Sequence, residues 1–301
     1  MKILVTGGGG FVGKNLLRVM EEEGIEPRDI TVLDQSQKDV DFVKQFGVKA
    51  ICADLSVKNS IWIDAFKNQD IVVSLHAQIS APEETLFYKN NVEATKNVVE
   101  AAKIAGIRKI IHFSSAAVIS VRKDHYAKTK QKSEEIVKSS GLKYVILRPS
   151  IMYGLFDNKN IGWLINFAKK LPFFPVPGNG KYPRQPIFVE DICRLVIKLI
   201  ENFPEENKIY NINGRDIVYF RDMIKAVLKQ MGGFRFPVYI PIPIFIFLVR
   251  VYDILLRSPF TIDQIKSLIS GDVFPDYPWW DEFKIEITPF EKGVQKMLKK
   301  P

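Results

Sequence analysis

The chain has 301 residues, of which 47% are hydrophobic and 26% are charged, and its formal net charge at pH 7 is +9. These proportions exclude a disordered chain, and the length suffices for one large α/β domain with a smaller lobe. Two distant cysteines and three scattered histidines exclude a disulfide framework and a metal site of recognisable spacing. Because the basic residues are interleaved with acidic ones, the positive charge indicates an anionic small ligand or an anionic membrane surface, and we expect no nucleic-acid partner.

The chain begins with a strand, a glycine-rich turn and a helix. An apolar run at 3–5 precedes Thr-Gly-Gly-Gly-Gly-Phe-Val-Gly at 6–13, and an amphipathic segment follows. Such a turn holds a pyrophosphate at a helix N-terminus, where free N–H groups and the helix dipole favour negative charge. Gly7 would permit the tight turn, Gly10 the approach of the backbone to the phosphates, and Gly13 the close packing of helix on strand. The pattern predicts dinucleotide binding.

An acidic residue follows at the expected distance. Asp34 ends a second apolar strand, predicted over 30–33, about twenty residues after the glycine turn. A carboxylate there accepts hydrogen bonds from the adenosine ribose hydroxyls and repels a 2′-phosphate. NAD is therefore favoured over NADP, with a solvated turn aspartate as the alternative interpretation.

Strands and helices alternate through the first half of the chain. Strands are predicted over 48–52, 70–75, 109–113 and 144–147, and long helices over 85–105 and 126–140. Near-continuous apolar strands between amphipathic helices predict an α/β fold with a doubly wound parallel sheet of the Rossmann type.

The alternation of predicted strands and helices ends after Pro149. Prolines crowd the region 172–186, which predicts a loop-rich insertion. Beyond it we predict a strand at 187–189, a helix over 191–202, a strand over 208–212 and a mostly helical remainder. The predicted organisation is a dinucleotide-binding core over 1–155, completed by about 187–213, and a smaller, mostly helical substrate lobe formed by 156–186 and 214–301.

One apolar run, 240–256, is too short and too charged to predict a transmembrane span, because Arg250 and Asp253 lie within it. It is either a helix packed in its own lobe or a helix that lines a lipophilic substrate entrance or touches a membrane surface. Since Met1 and Lys2 lead straight into a strand, no signal peptide is expected. We expect a cytoplasmic protein, with peripheral membrane contact left open.

A tyrosine and a lysine follow the fifth strand. Tyr126 and Lys130 are four residues apart on a predicted helix and share one face. A lysine ammonium beside a phenol lowers the phenol pKa, so Tyr126 could act as a general acid or base near neutral pH. Ser114 and Ser115 end the fifth strand, at the sheet edge where ligands of parallel sheets bind. Ser115 could hold a substrate oxygen close to Tyr126.

With these motifs the chain resembles the extended short-chain dehydrogenase/reductase superfamily, which comprises the NAD-dependent epimerases and dehydratases. The resemblance extends over nearly the whole chain, through the glycine motif, Asn91-Val92, Arg148-Pro149, Tyr153-Gly154 and Val189-x-Asp191. It implies a catalytic triad of Ser115, Tyr126 and Lys130, and an adenine contact at Asp54 and Leu55. It also implies that the cofactor site includes Phe11, Val12, His76, Ala77, Asn91, Ser114, Tyr126, Lys130, Pro149 and Ile151.

Three departures from the family pattern bear on function. Only eleven positions lead from Ser115 to Tyr126, so part of the usual substrate wall is missing. Ser-Leu-His-Ala at 74–77 replaces the family's His-x-Ala-Ala, which leaves His76 either near the cofactor or structural. The segment 185–191 and the C-terminal pattern around 260–265 resemble the nucleotide-binding accessory subunit of respiratory complex I and its free-standing prokaryotic relatives, many of which lack the Tyr-Lys pair.

The sequence thus predicts an NAD-dependent oxidoreductase or epimerase that transfers a hydride at a hydroxyl or keto carbon. A nucleotide-sugar substrate is favoured by Arg184, which the resemblance implies would grip a diphosphate. A lipophilic alcohol or ketone is favoured by the short loop and the apolar run. The alternative function is a non-catalytic accessory or assembly protein that holds a cofactor in a membrane complex. The resemblance also leaves open a homodimer formed through the fourth and fifth helices.

Overall fold

The structure is a computed structural model that describes residues 1–120, 124–256, 265, 268–271, 273–275 and 277–299, with only the backbone at 252–256. The chain divides into two compact units. The first unit comprises Met1–Pro149, Val189–Ile212 and Tyr277–Glu286. The second unit comprises Ser150–Phe188, Asn213–Asp276 and Ile287–Pro301. The segment 277–286 thus groups with the first unit, although the sequence pattern assigns it to the substrate lobe.

The first unit is built on a seven-stranded sheet whose strand order is β11-β6-β5-β4-β1-β2-β3, with every neighbouring pair parallel. The order reverses between β1 and β4, which is the switch point where ligands bind in open α/β sheets. This confirms the predicted doubly wound parallel sheet. Its strands are β1 Ile3–Thr6, β2 Ile30–Asp34, β3 Lys49–Cys52, β4 Ile71–Ser74, β5 Lys109–Phe113, β6 Lys143–Pro149 and β11 Lys208–Ile212.

Helices flank this sheet and bury its apolar strands. Leu4, Val72, Ile110 and Ile146, from four neighbouring strands, lie in one core cluster with Val98 of the helix that follows β4. Each of these side chains is fully buried, which explains why the strands read as continuous apolar runs. The helices of the unit are α1 Phe11–Glu22, α2 Gln37–Val43, α3 Ser60–Ile63, α4 Glu84–Phe87, α5 Ala94–Ile104, α6 His125–Lys138, α8 Val189–Glu201 and α11 Trp279–Glu282.

The helix predicted over 85–105 contains a wider turn. A π-helical stretch, Tyr88–Glu93, separates α4 from α5. The carbonyl of Asn91 accepts hydrogen bonds from two hydroxyls, Thr95 Oγ1 at 2.6 Å and Ser133 Oγ at 2.8 Å. Side-chain hydroxyls therefore support the backbone at this irregular turn, and such stretches are frequent at functional sites.

The second unit contains more strand than the sequence pattern predicts. A two-stranded parallel ribbon joins β8, Phe173–Pro177, to β13, Phe236–Ile240. Prolines are tolerated here because a two-stranded ribbon leaves backbone N–H positions that need no partner. Two short pairs complete the strands: β10 Ile187–Phe188 with β7 Met152–Tyr153, and β12 Val218–Tyr219 with β9 Pro183–Arg184.

The strand predicted at 187–189 therefore pairs within the second unit, and its helix begins at Val189 instead of Asp191. The helices of the second unit are α7 Ile161–Ala168, α9 Phe220–Met231, α10 Ile242–Leu256 and α12 Phe290–Leu298. β8 lies in the region 172–186 that is predicted to be loop-rich, and α7 lies just before that region. Most of the C-terminal pattern around 260–265 lies outside the described residues.

Candidate functional site

The predicted cofactor residues of the first unit lie along the carboxyl edge of the sheet. Strand register places Thr6 beside Ser74, and Ser74 beside His112 of β5. On the other side of β1, Asp34 ends β2 beside Cys52 of β3. The glycine turn after β1 thus lies between the Asp34 side and the side that carries Ser114 and Ser115.

The glycine turn has the geometry of a phosphate cradle. Gly7 has a positive φ of 70°, and a Cβ there would stand 2.6 Å from the backbone nitrogen of His76. A Cβ on Gly13 would stand 2.3 Å from the carbonyl oxygen of Gly8, so this glycine allows α1 to pack against the turn. A Cβ on Gly10 would meet only the Gly7 carbonyl oxygen, at 3.2 Å. Gly10 precedes α1 without a side-chain cap, which leaves the N–H groups around Phe11 and Val12 for a ligand.

The Asp34 carboxylate faces this turn. It accepts hydrogen bonds from the backbone N–H of Gly9 at 2.9 Å and of Ser36 at 3.0 Å. Burial raises the pKa of Asp34, and these two hydrogen bonds oppose that shift. Each carboxylate oxygen has a second lone pair, so Asp34 can still accept hydrogen bonds from ribose hydroxyls.

Asp54 and Leu55 follow β3. Asp54 accepts hydrogen bonds from Ser56 and, at 3.1 Å, from Lys89. Burial alone would raise the pKa of Asp54, but these bonds hold it below its usual value. Leu55 is buried, and its carbonyl oxygen accepts a hydrogen bond from Asn97 at 2.9 Å. The adenine contact stays a prediction for both residues.

Ser115 and Tyr126 come together at the end of β5. Ser115 begins a short 3-10 helix, and its Oγ accepts a hydrogen bond from the Ala117 N–H at 3.2 Å. The Ser115 side chain also lies near the phenol of Tyr126 and acts to lower the pKa of that phenol. Tyr126 is half-buried on the first turn of α6.

The expected effect of Lys130 on the Tyr126 phenol is wrong for this structure. Burial raises the pKa of Tyr126 to about 12, against the lowering effect of the nearby Ser115 side chain, and the negative charge of Asp124 adds to the rise. Lys130 is not among these causes. An expectation based on charge alone leaves out the desolvation of the phenol.

Lys130 is fully buried, and within the described part of the chain its Nζ has no hydrogen-bond partner. Burial lowers its pKa to about 8, and the nearby Glu134 carboxylate opposes the shift. Glu134 is itself held by Arg148, which contacts its two oxygens at 2.8 and 2.6 Å. A buried amine without a partner is expensive in free energy, so its presence indicates a ligand that completes the site.

A buried polar cluster lies beside Lys130. His76 Nδ1 lies 2.7 Å from Thr6 Oγ1, and His76 Nε2 lies 3.2 Å from Thr95 Oγ1. Ser74 Oγ lies 3.1 Å from Nδ1 of His112. Burial first, and then the positive charge of Lys130, lower the pKa of both histidines, to about 3 for His76. Both imidazoles are therefore neutral at pH 7.

Sequence reasoning missed Ser74 and His112 as members of this cluster. The sequence carries a signal for both, since Ser74 follows three apolar residues at the end of β4 and His112 lies between Ile111 and Phe113 in β5. His76 is placed close to Gly7 and Thr6, which agrees with either interpretation of that residue. Its neighbour Ala77 is exposed.

The buried side chain of Asn91 holds the loop after β4 through hydrogen bonds. Its Oδ1 accepts a hydrogen bond from the Gln78 N–H at 2.7 Å, and its Nδ2 donates to the Gln78 carbonyl at 3.1 Å. Nδ2 also donates to Thr129 Oγ1 of α6 at 3.0 Å. Asn91 thereby ties this loop to the helix that carries Tyr126 and Lys130.

The remaining candidates are more dispersed. Pro149 ends β6 and is buried, whereas Ile151 and Arg184 belong to the second unit. Arg184 is buried, and its Nη2 donates to the carbonyl of Leu268 at 2.8 Å. A guanidinium that binds its own unit's backbone has fewer donors for a substrate. Its grip on a diphosphate stays a prediction.

The first unit fits a dinucleotide. The uncapped start of α1 suits a pyrophosphate, the Asp34 carboxylate suits ribose hydroxyls, and the orphaned Lys130 amine suits a further hydroxyl acceptor. These groups share the sheet edge at its switch point. The described residues therefore present donors and acceptors of the kinds that NAD requires.

Comparison with known proteins agrees with this geometry. The family model of the NAD dependent epimerase/dehydratase family matches residues 3–213. A farnesyl-dihydroquinoline-oxide ketoreductase from Stigmatella aurantiaca is 26% identical over 77% of this chain and 74% of its own. An Escherichia coli 4-epimerase of N-acetylglucosaminyl-diphospho-undecaprenol is 24% identical over 85% of this chain and 80% of its own.

Two further similarities concern the accessory-subunit resemblance and the fold. The mouse mitochondrial NADH dehydrogenase 1 alpha subcomplex subunit 9 is 23% identical over 78% of this chain, which covers 63% of that relative. The solved structure of a UDP-glucose 4-epimerase from Thermotoga maritima superposes with a TM-score of 0.78 at 19% identity, and the match covers 99% of this chain and 98% of the other. The latter shows a shared fold.

The family match spans well over half of the chain and includes the glycine turn, Asp34, Ser115, Tyr126 and Lys130. The cofactor of the family is NAD, and its members are the epimerases, dehydratases and reductases that the resemblance implies. The chain therefore belongs to the NAD-dependent epimerase/dehydratase family and is an NAD-dependent enzyme.

Proposed function

We propose that the protein reduces a keto group of a lipophilic substrate, with Tyr126 as the general acid. The observation that carries the proposal is that the Ser115 side chain lies near the Tyr126 phenol, and that the helix of Tyr126 also carries the buried Lys130. A substrate carbonyl oxygen that meets both hydroxyls would be polarised by Ser115 and protonated by Tyr126.

The protonation state of Tyr126 favours this direction of reaction. A phenol whose pKa is raised to about 12 keeps its proton at neutral pH, so it stands ready to donate. The proton leaves the phenol as the carbonyl carbon gains a hydride and its oxygen becomes a hydroxyl. The reverse oxidation would require a phenolate, which burial disfavours until a charged group approaches.

Lys130 supports cofactor binding in this proposal. NAD, in its reduced form, supplies the hydride when bound. The Lys130 Nζ would donate a hydrogen bond to a ribose hydroxyl. The neutral His76 and His112 add no competing charge beside it.

The substrate class rests on two features. The ketoreductase and the undecaprenol-linked epimerase among the relatives both act, by their names, on molecules with an isoprenoid chain. In addition, Arg184 is buried against the Leu268 carbonyl, which weakens the case for a nucleotide diphosphate. We therefore place a prenylated or otherwise long-chain ketone ahead of a nucleotide sugar.

A panel of carbonyl compounds tests this function. NADH consumption would be followed with a prenylated quinone-like ketone, a long-chain 3-keto lipid and a UDP-4-keto sugar, each in the same detergent. We expect turnover with the lipophilic ketones. Tyr126→Phe should lower turnover by roughly two to four orders of magnitude, the usual contribution of a positioned acid, and should leave NADH affinity unchanged.

Tyr144→Phe is the matched control, because Tyr144 lies at the amino end of β6, away from the carboxyl edge. It should keep full activity. Turnover with the UDP-sugar alone would overturn the lipophilic substrate, and turnover that survives Tyr126→Phe would overturn the assigned acid.

A cofactor-holding accessory protein is the second candidate. The similarity to the NADH dehydrogenase subunit favours it, but only weakly, because mere retention of NAD does not need the neighbouring side chains of Ser115 and Tyr126. For such a protein, Tyr126→Phe would change no measurable property.

A further inference from the structure

The second unit exposes an apolar face on α10. Ile244, Phe247, Leu248 and Val251 are 52%, 63%, 47% and 39% exposed. Their spacing places them within an arc of about 100° on one side of the helix, at 100° per residue. Ile242, Phe245, Ile246 and Val249 lie on the opposite side and are partly buried. The helix is thus apolar on both sides, and one of these sides has no partner within the described part of the chain.

A second exposed apolar group lies on the β8–β13 ribbon. Phe173 and Phe236 are partners in the strand register, and both are exposed. The ring of Phe234 packs edge-on against that of Phe236, with centroids 5.3 Å apart, and Phe234 is 85% exposed. Aromatic rings that stand in water in this way are costly unless another surface covers them.

The charges beside these side chains have one sign. Lys169 and Lys170 directly follow α7 and are exposed. Arg235 lies close to them, because its Nε donates to the Ala168 carbonyl at 3.1 Å. Arg250 is exposed on α10. The segments 158–183 and 228–251 contain no aspartate and no glutamate, and the next acidic residue along α10 is Asp253. Exposed apolar side chains beside an excess of cations complement an anionic bilayer, which takes both.

We propose that the exposed side of α10 and the aromatic side chains of the β8–β13 ribbon together form a face that docks on an anionic membrane surface. The apolar side chains would enter the interface between headgroups and acyl chains, and Lys169, Lys170 and Arg250 would contact lipid phosphates. Within the described residues no helix is long and apolar enough to cross a bilayer, so the contact is peripheral. It goes beyond the proposed reaction, since docking requires neither NAD nor a ketone.

Vesicle flotation with the full-length chain tests the proposal. We expect the protein to float with phosphatidylcholine vesicles that contain phosphatidylglycerol, to bind phosphatidylcholine alone much more weakly, and to be released by high salt. Phe247→Ser combined with Leu248→Ser should lower vesicle affinity at least about tenfold, through lost apolar burial. Lys169→Glu combined with Lys170→Glu should lower the affinity for phosphatidylglycerol vesicles at least about fivefold for each lysine replaced.

Matched controls come from the first unit. Ile61→Ser with Ile104→Ser removes two exposed apolar side chains, and Lys96→Glu with Lys103→Glu removes two exposed cations. Both should float like the original protein. NADH affinity and turnover of a dispersed ketone should be unchanged in all four double variants, which separates docking from the reaction.

Two results would overturn the proposal. One is equal flotation of the Phe247/Leu248 variant and the original protein, or no flotation of either. The other is a stable dimer in solution that this variant converts to a monomer, because the face would then be covered by a second copy of the chain.

Discussion

The first unit buries two charged side chains, Lys130 and Glu134. The second unit exposes two large hydrophobic side chains, Phe234 and Phe247. Each is the reverse of the usual distribution, in which charged residues are exposed and hydrophobic residues are buried. A buried polar group and an exposed apolar patch are each informative, since each raises the free energy of the isolated molecule. Both features indicate something that binds there, a polar ligand in the first unit and an apolar surface in the second.

The largest effect is expected at the glycine turn, and it tests whether the polar edge of the first unit is a ligand site. Gly10→Val should lower the affinity for NAD at least about a hundredfold, because the valine side chain would occupy the pyrophosphate position. The fold should persist, since a Cβ there meets only the Gly7 carbonyl, at 3.2 Å. Calorimetric titration and circular dichroism would check both statements.

Gly13→Val is the informative contrast. Its Cβ would stand 2.3 Å from the Gly8 carbonyl oxygen, so this variant should lose stability as well as binding. Normal NAD affinity in Gly10→Val would show that the pyrophosphate lies elsewhere.

Replacement of the buried amine sharpens the comparison. Lys130→Met should weaken NAD binding and yet raise the free energy of unfolding of the ligand-free protein at pH 7, by up to about 3 kcal/mol, because a desolvated ammonium is removed. The pKa of Lys130 is about 8 in the folded protein, against 10.5 for an exposed lysine. Between these values the unfolded chain binds more protons, so the stability of the original protein rises with pH across this window.

Chemical denaturation at pH 7, 8, 9 and about 10 would measure this rise. Its slope should disappear in Lys130→Met. A variant that is less stable than the original protein at pH 7, with the slope retained, would assign Lys130 a purely structural role.

A smaller effect is expected at Asp34. Asp34→Asn keeps one oxygen that can accept from the Gly9 or Ser36 N–H but removes the negative charge. NADP should then bind several-fold better relative to NAD, since the 2′-phosphate is no longer repelled. Parallel titrations with both cofactors give the ratio, and an unchanged ratio would mean that Asp34 does not face the ribose.

The smallest effect is expected on the exposed face of the second unit. Phe234→Ser should change the free energy of unfolding by less than about 0.5 kcal/mol, whereas Phe290→Ala, which empties a buried position, should cost about 3–5 kcal/mol. Urea unfolding of the two variants measures the difference. A large loss in Phe234→Ser would show that its ring supports the fold.

The first unit could be predicted from the sequence because its signals are local. Apolar runs such as 109–113 and the glycine turn each determine their own structure, and parallel pairing follows from the alternation with helices. The ribbon of β8 and β13 is harder to predict from the sequence. Its strands are separated by about sixty residues, and Pro175 and Pro237 argue locally against a strand.

The site shows the same division. The spacing of Tyr126 and Lys130 placed both on one helix, but the desolvation that raises the phenol pKa comes from the tertiary structure. The contact of Arg184 with the Leu268 carbonyl joins residues 84 positions apart, so no local pattern could indicate it. Ser74 and His112 could have been paired from the sequence, since each is a polar residue near the carboxyl end of its strand and those strands are neighbours in the sheet.

The position of Cys52 has a practical consequence. The chain has two cysteines. Cys193 is buried, and burial, with Glu190 adding to it, raises the pKa of its thiol. Cys52 is exposed, ends β3 and pairs in register with Asp34. A maleimide fluorophore would therefore label the natural protein selectively beside the expected adenosine position, and its emission would report cofactor occupancy without any engineered residue.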